Sequence, residues 1–221
     1  MQNGKPMPKT KEILVSLCAI AFVVLFPHTG LIPLPFGYCI PVLLLVWLVL
    51  KISKETFSSI GFSVKEISVR ALAIGIVTSI LLFAFLNGVF FPLLQKFKDL
   101  PPVDLGDIAK IKGNTGFYIF LLAMGWLVGG LYEEIIFHGF IFTRLEKLLP
   151  AKYAVAAAFI ICNIIFALYH LQLGTEGVIT AFIAGCIYHA LMLRNKRNMW
   201  YAIFCHAAYD TIALTYIYAG Y

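Results

Sequence analysis

Residues 116–145 decide the fold, and they read G-F-Y-I-F-L-L-A-M-G-W-L-V-G-G-L-Y-E-E-I-I-F-H-G-F-I-F-T-R-L. A helix needs about 20 predominantly apolar residues to cross the hydrocarbon core of a bilayer, and this run is long enough. Two adjacent acids, Glu133 and Glu134, stand inside it. Each charged side chain at the middle of a membrane helix costs about 2.5–3.5 kcal/mol on insertion scales. The stretch therefore predicts a membrane helix with a functional polar site.

The composition extends this prediction to the whole chain. Of the 221 residues, 61% are hydrophobic and only 13% are charged, and the mean hydropathy is +0.90. Soluble domains are nearer half apolar and a quarter charged, so soluble and disordered proteins are excluded. Six more apolar runs are found, roughly at 12–27, 36–52, 70–95, 152–172, 177–193 and 199–219. We predict an all-α, polytopic bundle of about seven transmembrane helices, with residues 1–221 forming a single integral membrane domain.

Lysine and arginine indicate how this bundle is oriented. Thirteen of them fall before the first run and in the alternate loops 51–70, 144–152 and 194–198, whereas the other side carries four, all in loop 96–115. The positive-inside rule then places the N-terminus inside and the C-terminus outside. Since loop cations account for the net charge of +6, we expect a lipid bilayer and no nucleic acid as a partner.

Acids and histidines inside the spans are few and lie in the second half of the chain. They are Glu133, Glu134, His138, His170, His189, His206 and Asp210. Residues four apart share a helix face, so Glu134 is expected to pair with His138, and His206 to lie beside Asp210. His189 has no motif around it and is interpreted as a packed or interfacial histidine.

The distance of each residue from the predicted loops indicates whether these residues lie at the same depth in the membrane. Glu133 and His170 lie at similar distances from the turn predicted near Pro150, whereas His206 follows the 194–198 loop much more closely. Glu133 and His170 lie at the same depth as His206 only if spans four and five project a couple of turns into the cytoplasm. In that case Glu133, His170 and His206 converge in the inner half of the bilayer.

A carboxylate beside two imidazoles offers two kinds of chemistry. In a cavity of low dielectric constant the carboxylate can act as a general base on water, while imidazoles stabilise a developing oxyanion. The same set of Glu133, His170 and His206 also matches a catalytic zinc site with an open position. The chain has no H-E-x-x-H motif, so the sequence leaves both alternatives open.

Three short motifs in this region resemble those of one family. Residues 133–139 (E-E-I-I-F-H-G) are similar to an E-E-x-x-x-R motif, 166–170 (F-A-L-Y-H) to F-x-x-x-H, and 206–210 (H-A-A-Y-D) to H-x-x-x-N/D. Their order resembles that of the CPBP family (CAAX protease and bacteriocin-processing, also called Abi) of membrane proteins. The resemblance covers roughly residues 116–215, which we take as the catalytic core helices.

The resemblance implies an α-helical intramembrane endopeptidase. The eukaryotic branch of the family removes the last three residues of prenylated CAAX proteins, and the bacterial branch is linked to bacteriocin maturation and self-immunity. By position, Glu133 would activate water with His170 as its partner and Glu134 beside it. His206 and Asp210 would fall where the family stabilises the oxyanion. We expect no cofactor, with a divalent metal such as zinc as the alternative.

Two positions depart from the family pattern. The family arginine is His138 here, which can still pair with Glu134 but carries a conditional charge near neutral pH. Asp210 replaces the commoner asparagine, and a deprotonated Asp210 cannot donate to an oxyanion, although it could orient His206 or help hold a metal. Phe166 is expected to pack around the site and keep it dry.

These departures keep other functions open. One alternative is a catalytically silent binding or immunity protein that regulates a transmembrane partner, and another is a small transporter or proton relay. The peptidase would act on a membrane-associated protein or peptide, either prenylated or resembling a bacteriocin leader. Its expected location is a bacterial plasma membrane, which it crosses several times.

Overall fold

The chain is described here by a computed structural model, which covers residues 9–101 and 103–220. Lys5, one of the N-terminal cations behind the orientation, lies outside the described residues. Within them, seven long helices occur: α1 (Lys9–Leu25), α2 (Cys39–Ile52), α3 (Val69–Leu94), α4 (Thr115–Leu148), α5 (Ala154–Tyr169), α6 (Gly174–Arg194) and α7 (Trp200–Tyr218). Each falls on a predicted span, so the all-α membrane bundle is confirmed.

The helices differ in how readily they span a bilayer. Four are long and apolar enough on their own: α1 with the turn that follows it, α3, α4, and α6 with the turn before it. Helices α2 and α5 are apolar but shorter, with 14 and 16 residues. The predicted fifth span, 152–172, was too long at both ends, because α5 begins at Ala154 and ends at Tyr169. His170 therefore lies just beyond the helix and not within it.

Helix α4 is not a regular α-helix near its centre. Residues Gly125–Glu133 and Ile135–Ile141 have π-helical hydrogen bonding, and Glu134 lies between the two segments. A π-helical turn holds more residues than an α-helical turn, and such turns are frequent at functional sites. Successive residues leave a helix axis in different directions, about 100° apart at 3.6 residues per turn, so Glu133 and Glu134 face different surroundings.

Small residues bring α7 against its neighbours. A Cβ atom on Gly75 of α3 would lie 2.8 Å from the backbone nitrogen of Cys205. A Cβ atom on Gly130 of α4 would lie 2.7 Å from the Cβ of Ala207. Close approach of this kind is how small residues stabilise helix pairs in membranes, where no hydrophobic force drives them together. As a result α7, which carries His206, packs tightly between α3 and α4.

Helix α4 extends well beyond the start of α7. Met199, just before α7, contacts Gly139, since a Cβ on that glycine would lie 2.6 Å from its Cε. Helix α4 continues to Leu148, nine residues further, or about 14 Å at ~1.5 Å per residue. Arg197 donates to both carboxylate oxygens of Glu146 on this projecting part, at 2.7 and 2.8 Å. Of the two projections that the sequence argument required, that of span four is therefore present in α4.

The tight contact of α3 with α7 leads to a stability prediction. We expect Gly75→Ala to lower the free energy of unfolding by about 1–3 kcal/mol, because the new methyl group overlaps the α7 backbone. Gly88→Ala, in the same helix, is the matched control, since a Cβ there meets nothing within 4 Å. Unfolding of both variants in detergent measures the difference. An equal loss of stability would show that the α3–α7 contact is not restrictive.

Candidate active site

The centre of the site is the carboxylate of Glu134, which is fully buried. Its Oε2 atom accepts a hydrogen bond from Nδ1 of His138, at 2.6 Å. Its Oε1 atom accepts one from Nδ1 of His206 on α7, at 2.9 Å. The pairing expected from the four-residue spacing is present, and a second imidazole completes it. Glu134 thus joins two helices, and it has no path to the solvent of its own.

The other side of His138 leads to an asparagine. Asn163 on α5 donates through Nδ2 to the carbonyl oxygen of Phe159, at 2.8 Å, which fixes the orientation of its amide. Its Oδ1 then faces Nε2 of His138, at 3.2 Å. Since both partners of His138 are acceptors, the imidazole donates through both nitrogens when it is protonated twice. In that form it is a cation that holds Glu134, as the family arginine would be expected to do.

Sequence reasoning missed Asn163. The sequence does contain a signal for it, because Asn163 is the one amide side chain in the apolar run Ala154–Tyr169. The prediction rested on acids and histidines alone. His189 proves to be packed, as expected, since it is fully buried and its ring lies 4.4 Å from that of Phe142. It also accepts from Asn163 through Nδ1, at 3.1 Å. The site therefore rests on a polar chain through α4, α5 and α6.

Glu133 faces in a different direction from Glu134. Its Oε2 lies 3.8 Å from Nε2 of His170, and Glu133 as a whole is 8% exposed. His170 donates through Nδ1 to the carbonyl of Phe166, at 2.8 Å. Because a carbonyl only accepts, the neutral imidazole has its proton on Nδ1, and its Nε2 lone pair faces Glu133. The two groups are too far apart for a direct hydrogen bond, and both present acceptors.

His206 is held in place from several sides. Glu134 fixes its Nδ1, and Tyr188 stacks on its ring at 4.7 Å. Its Nε2 lies 3.7 Å from Oδ1 of Asp210, one turn further along α7. A Cβ atom on Gly129 of α4 would overlap Oδ2 of Asp210 and approach Nε2 of His206 to 3.5 Å. The glycine therefore leaves room for this pair to face the cavity.

Phe166 separates these polar groups from one another. Its ring lies 5.3 Å from that of His138, 4.7 Å from that of His170 and 6.0 Å from that of His206. Only 2% of the residue is exposed. The expected packing role is therefore consistent with its position at the junction of the three imidazoles.

A cavity of about 820 Å³ gives access to part of this cluster. Glu133, His170, His206 and Asp210 line it, whereas the fully buried Glu134 and His138 lie behind it. The remaining walls are mainly apolar and aromatic. The structure thus divides the predicted site residues into a group that faces the cavity and a pair that holds this group in place.

The alternative zinc site was tested on the geometry of its donors. Among the described residues, the ligand atoms of Glu133, His170 and His206 do not form a set within 4.8 Å of one another. The three donors therefore do not converge on one ion in this conformation. The expectation of a metal-free site stays a prediction.

A different trio does meet that distance. The ligand atoms of His138, Cys162 and His189 all lie within 4.8 Å of one another, and all three side chains are buried. Asn163 stands between the two imidazoles and bonds to both. Cys162 donates its S–H to the carbonyl of Phe137, at 3.1 Å. These hydrogen bonds already account for the trio as part of the packed polar chain.

Comparison with known families agrees with the motifs. Residues 115–212 match the family model described as "Type II CAAX prenyl endopeptidase Rce1-like". All the polar groups described above lie in this segment, and the resemblance to the CPBP family is confirmed over it. No curated protein and no solved structure matches the chain.

The two adjacent acids should differ in their effect on stability. We expect Glu134→Gln to lower the free energy of unfolding by about 3 kcal/mol or more, because it breaks a buried, charge-assisted network. Glu133→Gln should change it by less than about 1 kcal/mol, since this carboxylate makes no direct hydrogen bond to another described residue that would be lost. Unfolding of both variants in detergent provides the comparison. Equal losses would contradict the assignment of Glu134 as the positioning group.

Proposed function

We propose that this integral membrane protein of the CAAX endopeptidase type is a glutamate-dependent intramembrane peptidase, in which Glu133 activates the attacking water. One observation carries the proposal. The Glu133 carboxylate and the Nε2 of His170 face each other at 3.8 Å, on the wall of a large apolar cavity. A water molecule can bridge two acceptors at this separation by donating one O–H to each.

The reaction would begin with this water. As its oxygen attacks the carbonyl carbon of the scissile peptide bond, Glu133 takes up one proton, and a tetrahedral oxyanion forms. The proton then passes from Glu133 to the amide nitrogen as the carbon–nitrogen bond breaks. A positioned general base of this kind contributes typically 10²–10⁴-fold to the rate. His170 keeps the water aligned through its lone pair.

His206 is proposed to stabilise the oxyanion. Nδ1–H of His206 donates to Oε1 of Glu134, with 2.9 Å between the nitrogen and the oxygen, and this leaves Nε2 directed at the cavity. In the imidazolium form Nε2–H donates to the oxygen that becomes negative in the transition state. Asp210 lies 3.7 Å from this nitrogen and is itself only an acceptor when ionised. We therefore propose that Asp210 orients His206 and does not itself donate to the oxyanion.

Glu134 and His138 are assigned as positioning residues. Their contact at 2.6 Å is fully buried, so neither reaches a substrate in the cavity. The second candidate function is a catalytically silent binding protein. The replacement of the family arginine by His138 favours it. Because His138 can supply a cation to Glu134, its substitution for arginine gives no structural reason for inactivity.

The proposed substrate is a membrane-associated protein or peptide. The apolar walls of the cavity suit a polypeptide that arrives from the bilayer, and both a prenylated protein and a bacteriocin-like leader fit that description. The proposed location is the plasma membrane of a bacterium.

The decisive variant is Glu133→Gln, which retains the shape of the side chain but cannot accept a proton. We expect proteolysis to fall by at least 10²-fold, because the general base is lost. The measurement is mapping of N- and C-terminal peptides in the membrane proteome of host strains that express wild type or variant to equal levels. Termini that depend on wild type and disappear with the variant identify the substrate.

The control is Glu66→Gln, the same change at an exposed position that lies outside the cavity. It should leave the wild-type termini in place. A set of termini that is the same for wild type, both variants and a strain without the chain would refute the peptidase. If the Glu133→Gln strain also kept its phenotype, the binding protein would be favoured instead.

A further inference from the structure

A single amide, that of Asn163, stands between two buried imidazoles. The ring centroids of His138 and His189 lie 4.7 Å apart, and both side chains are fully buried. Asn163 contacts Nε2 of His138 through Oδ1, at 3.2 Å, and Nδ1 of His189 through Nδ2, at 3.1 Å. Two imidazolium ions this close together inside a membrane protein would repel each other strongly. The pair of rings therefore holds one positive charge at most.

The backbone of α5 fixes which way this amide points. One N–H of the Asn163 side chain donates to the carbonyl oxygen of Phe159, one turn earlier in the helix, at 2.8 Å. A carbonyl oxygen can only accept, so an amide turned by half a rotation would lose this bond and place Oδ1 against that oxygen. The second N–H is then directed at His189, and Oδ1 at His138. The two imidazoles therefore face opposite ends of one amide.

Each end of the amide selects a different protonation state. Nδ1 of His189 has to accept, so this imidazole is neutral and carries its proton on Nε2. Nε2 of His138 has to donate to Oδ1, and Nδ1 of the same ring lies 2.6 Å from the buried carboxylate of Glu134. Donation through both nitrogens makes His138 an imidazolium ion. The amide of Asn163 therefore directs the positive charge to His138 and away from His189.

The surroundings of His189 suit a neutral ring. Its Nε2 is buried and has no hydrogen-bond partner among the described residues. The ring of Phe142 stands perpendicular to it at 4.4 Å, and that of Phe159 stacks on it at 4.7 Å. A charged imidazole with an unpaired N–H would be far more costly in these surroundings than a neutral one. The packing of His189 thus favours the same assignment as the amide does.

The remaining groups around His138 agree with a positive charge on it. The Sγ atom of Cys162 lies within 4.8 Å of ligand atoms on both imidazoles, but its S–H donates to the carbonyl of Phe137, at 3.1 Å. Cys162 is a neutral thiol in that contact and brings no charge of its own. Glu134, whose second oxygen accepts from His206 at 2.9 Å, supplies the negative charge that the His138 cation balances.

We propose that Asn163 is a positioning residue that places the positive charge on His138 and keeps His189 neutral, so that these three side chains together take the place of the family arginine. The assignment of the charge stands on the contacts above, whereas its effect on cleavage rests on the proposed peptidase function. The His138 cation fixes the Glu134 carboxylate, and this carboxylate orients His206. Asn163, His138 and His189 do not line the cavity, so they act on the reaction through His206.

The charge of each ring can be measured without any activity. The full-length chain is labelled with ¹⁵N-histidine, purified in detergent micelles and studied by NMR at neutral pH. The variants His138→Gln and His189→Gln assign the signals of these two among the five histidines. We expect two protonated nitrogens for His138 and one, Nε2, for His189. A neutral His138 or a charged His189 in the wild-type protein would overturn the proposal, even if no variant of Asn163 folds.

Asn163→Leu removes the amide and retains a side chain of similar size. We expect His138 to lose its proton on Nε2 in this variant, because leucine cannot accept a hydrogen bond. Asn195→Leu is the matched control, since Asn195 also donates through Nδ2 to the carbonyl one turn earlier, that of Leu191, at 2.8 Å. The control should leave the signals of His138 unchanged. If His138 stayed doubly protonated in Asn163→Leu, the amide would not be what assigns the charge.

An arginine at position 138 separates the assignment of charge from packing. Arginine is a cation whatever group faces it, so it does not need Asn163 to be charged. With the peptide identified by terminal mapping, we expect Asn163→Leu to lower kcat by about 10-fold or more, with little change in KM, because His206 is no longer held in place. In the His138→Arg background the same change should lower kcat by less than about 3-fold. An equal loss in both backgrounds would show that Asn163 only packs.

The outcomes separate this proposal from the peptidase. If wild type cleaves the peptide, Glu133→Gln does not, and Asn163→Leu cleaves as fast as wild type, the effect of Asn163 on cleavage is refuted and the peptidase stands. If no cleavage depends on wild type, the peptidase is refuted, and the effect of Asn163 on cleavage with it. The NMR signals of the wild-type protein still decide which imidazole carries the charge.

Discussion

The carboxylate of Glu134 is the constraint on which the rest of the site depends. A buried charge without partners is very costly in a membrane, so the fold has to supply donors from two directions. It does so with His138 from the same helix and His206 from α7, at 2.6 and 2.9 Å. The second contact requires α7 to pack directly against α4. The small residues Gly130 and Ala207 at this contact can therefore be understood as part of the same arrangement.

Once Glu134 is satisfied by its partners, Glu133 is left for the cavity. The two acids are adjacent, yet one is fully buried and the other retains a small exposure, because successive residues leave a helix axis in different directions, about 100° apart at 3.6 residues per turn. This separation gives neighbouring carboxylates different environments, a pattern typical of sites that need one fixed charge and one proton acceptor.

Much of this could be predicted from the sequence, since it depends on local spacing. The seven apolar runs gave the helices, and the four-residue spacing gave the contact of Glu134 with His138. Asn163 was not found because a neutral amide is cheaper in a membrane than a charge, so the insertion cost that pointed to the acids did not single it out. The π-helical turns were missed because the spacing argument assumes 3.6 residues per turn.

The ion pairs at the end of α4 join distant residues, so no local pattern could predict them. Helix α4 provides two functions at once: its central part carries the acids, and its last turns project beyond α7. Those turns hold Arg144, Glu146 and Lys147, whose partners lie in two loops. The projection that brings Glu134 level with His206 therefore also ties α4 to two loops at this end of the bundle. A helix that ended at the level of α7 would lose these ion pairs. The ion pairs at this end thus follow from the same offset between helices that brings Glu134 and His206 together.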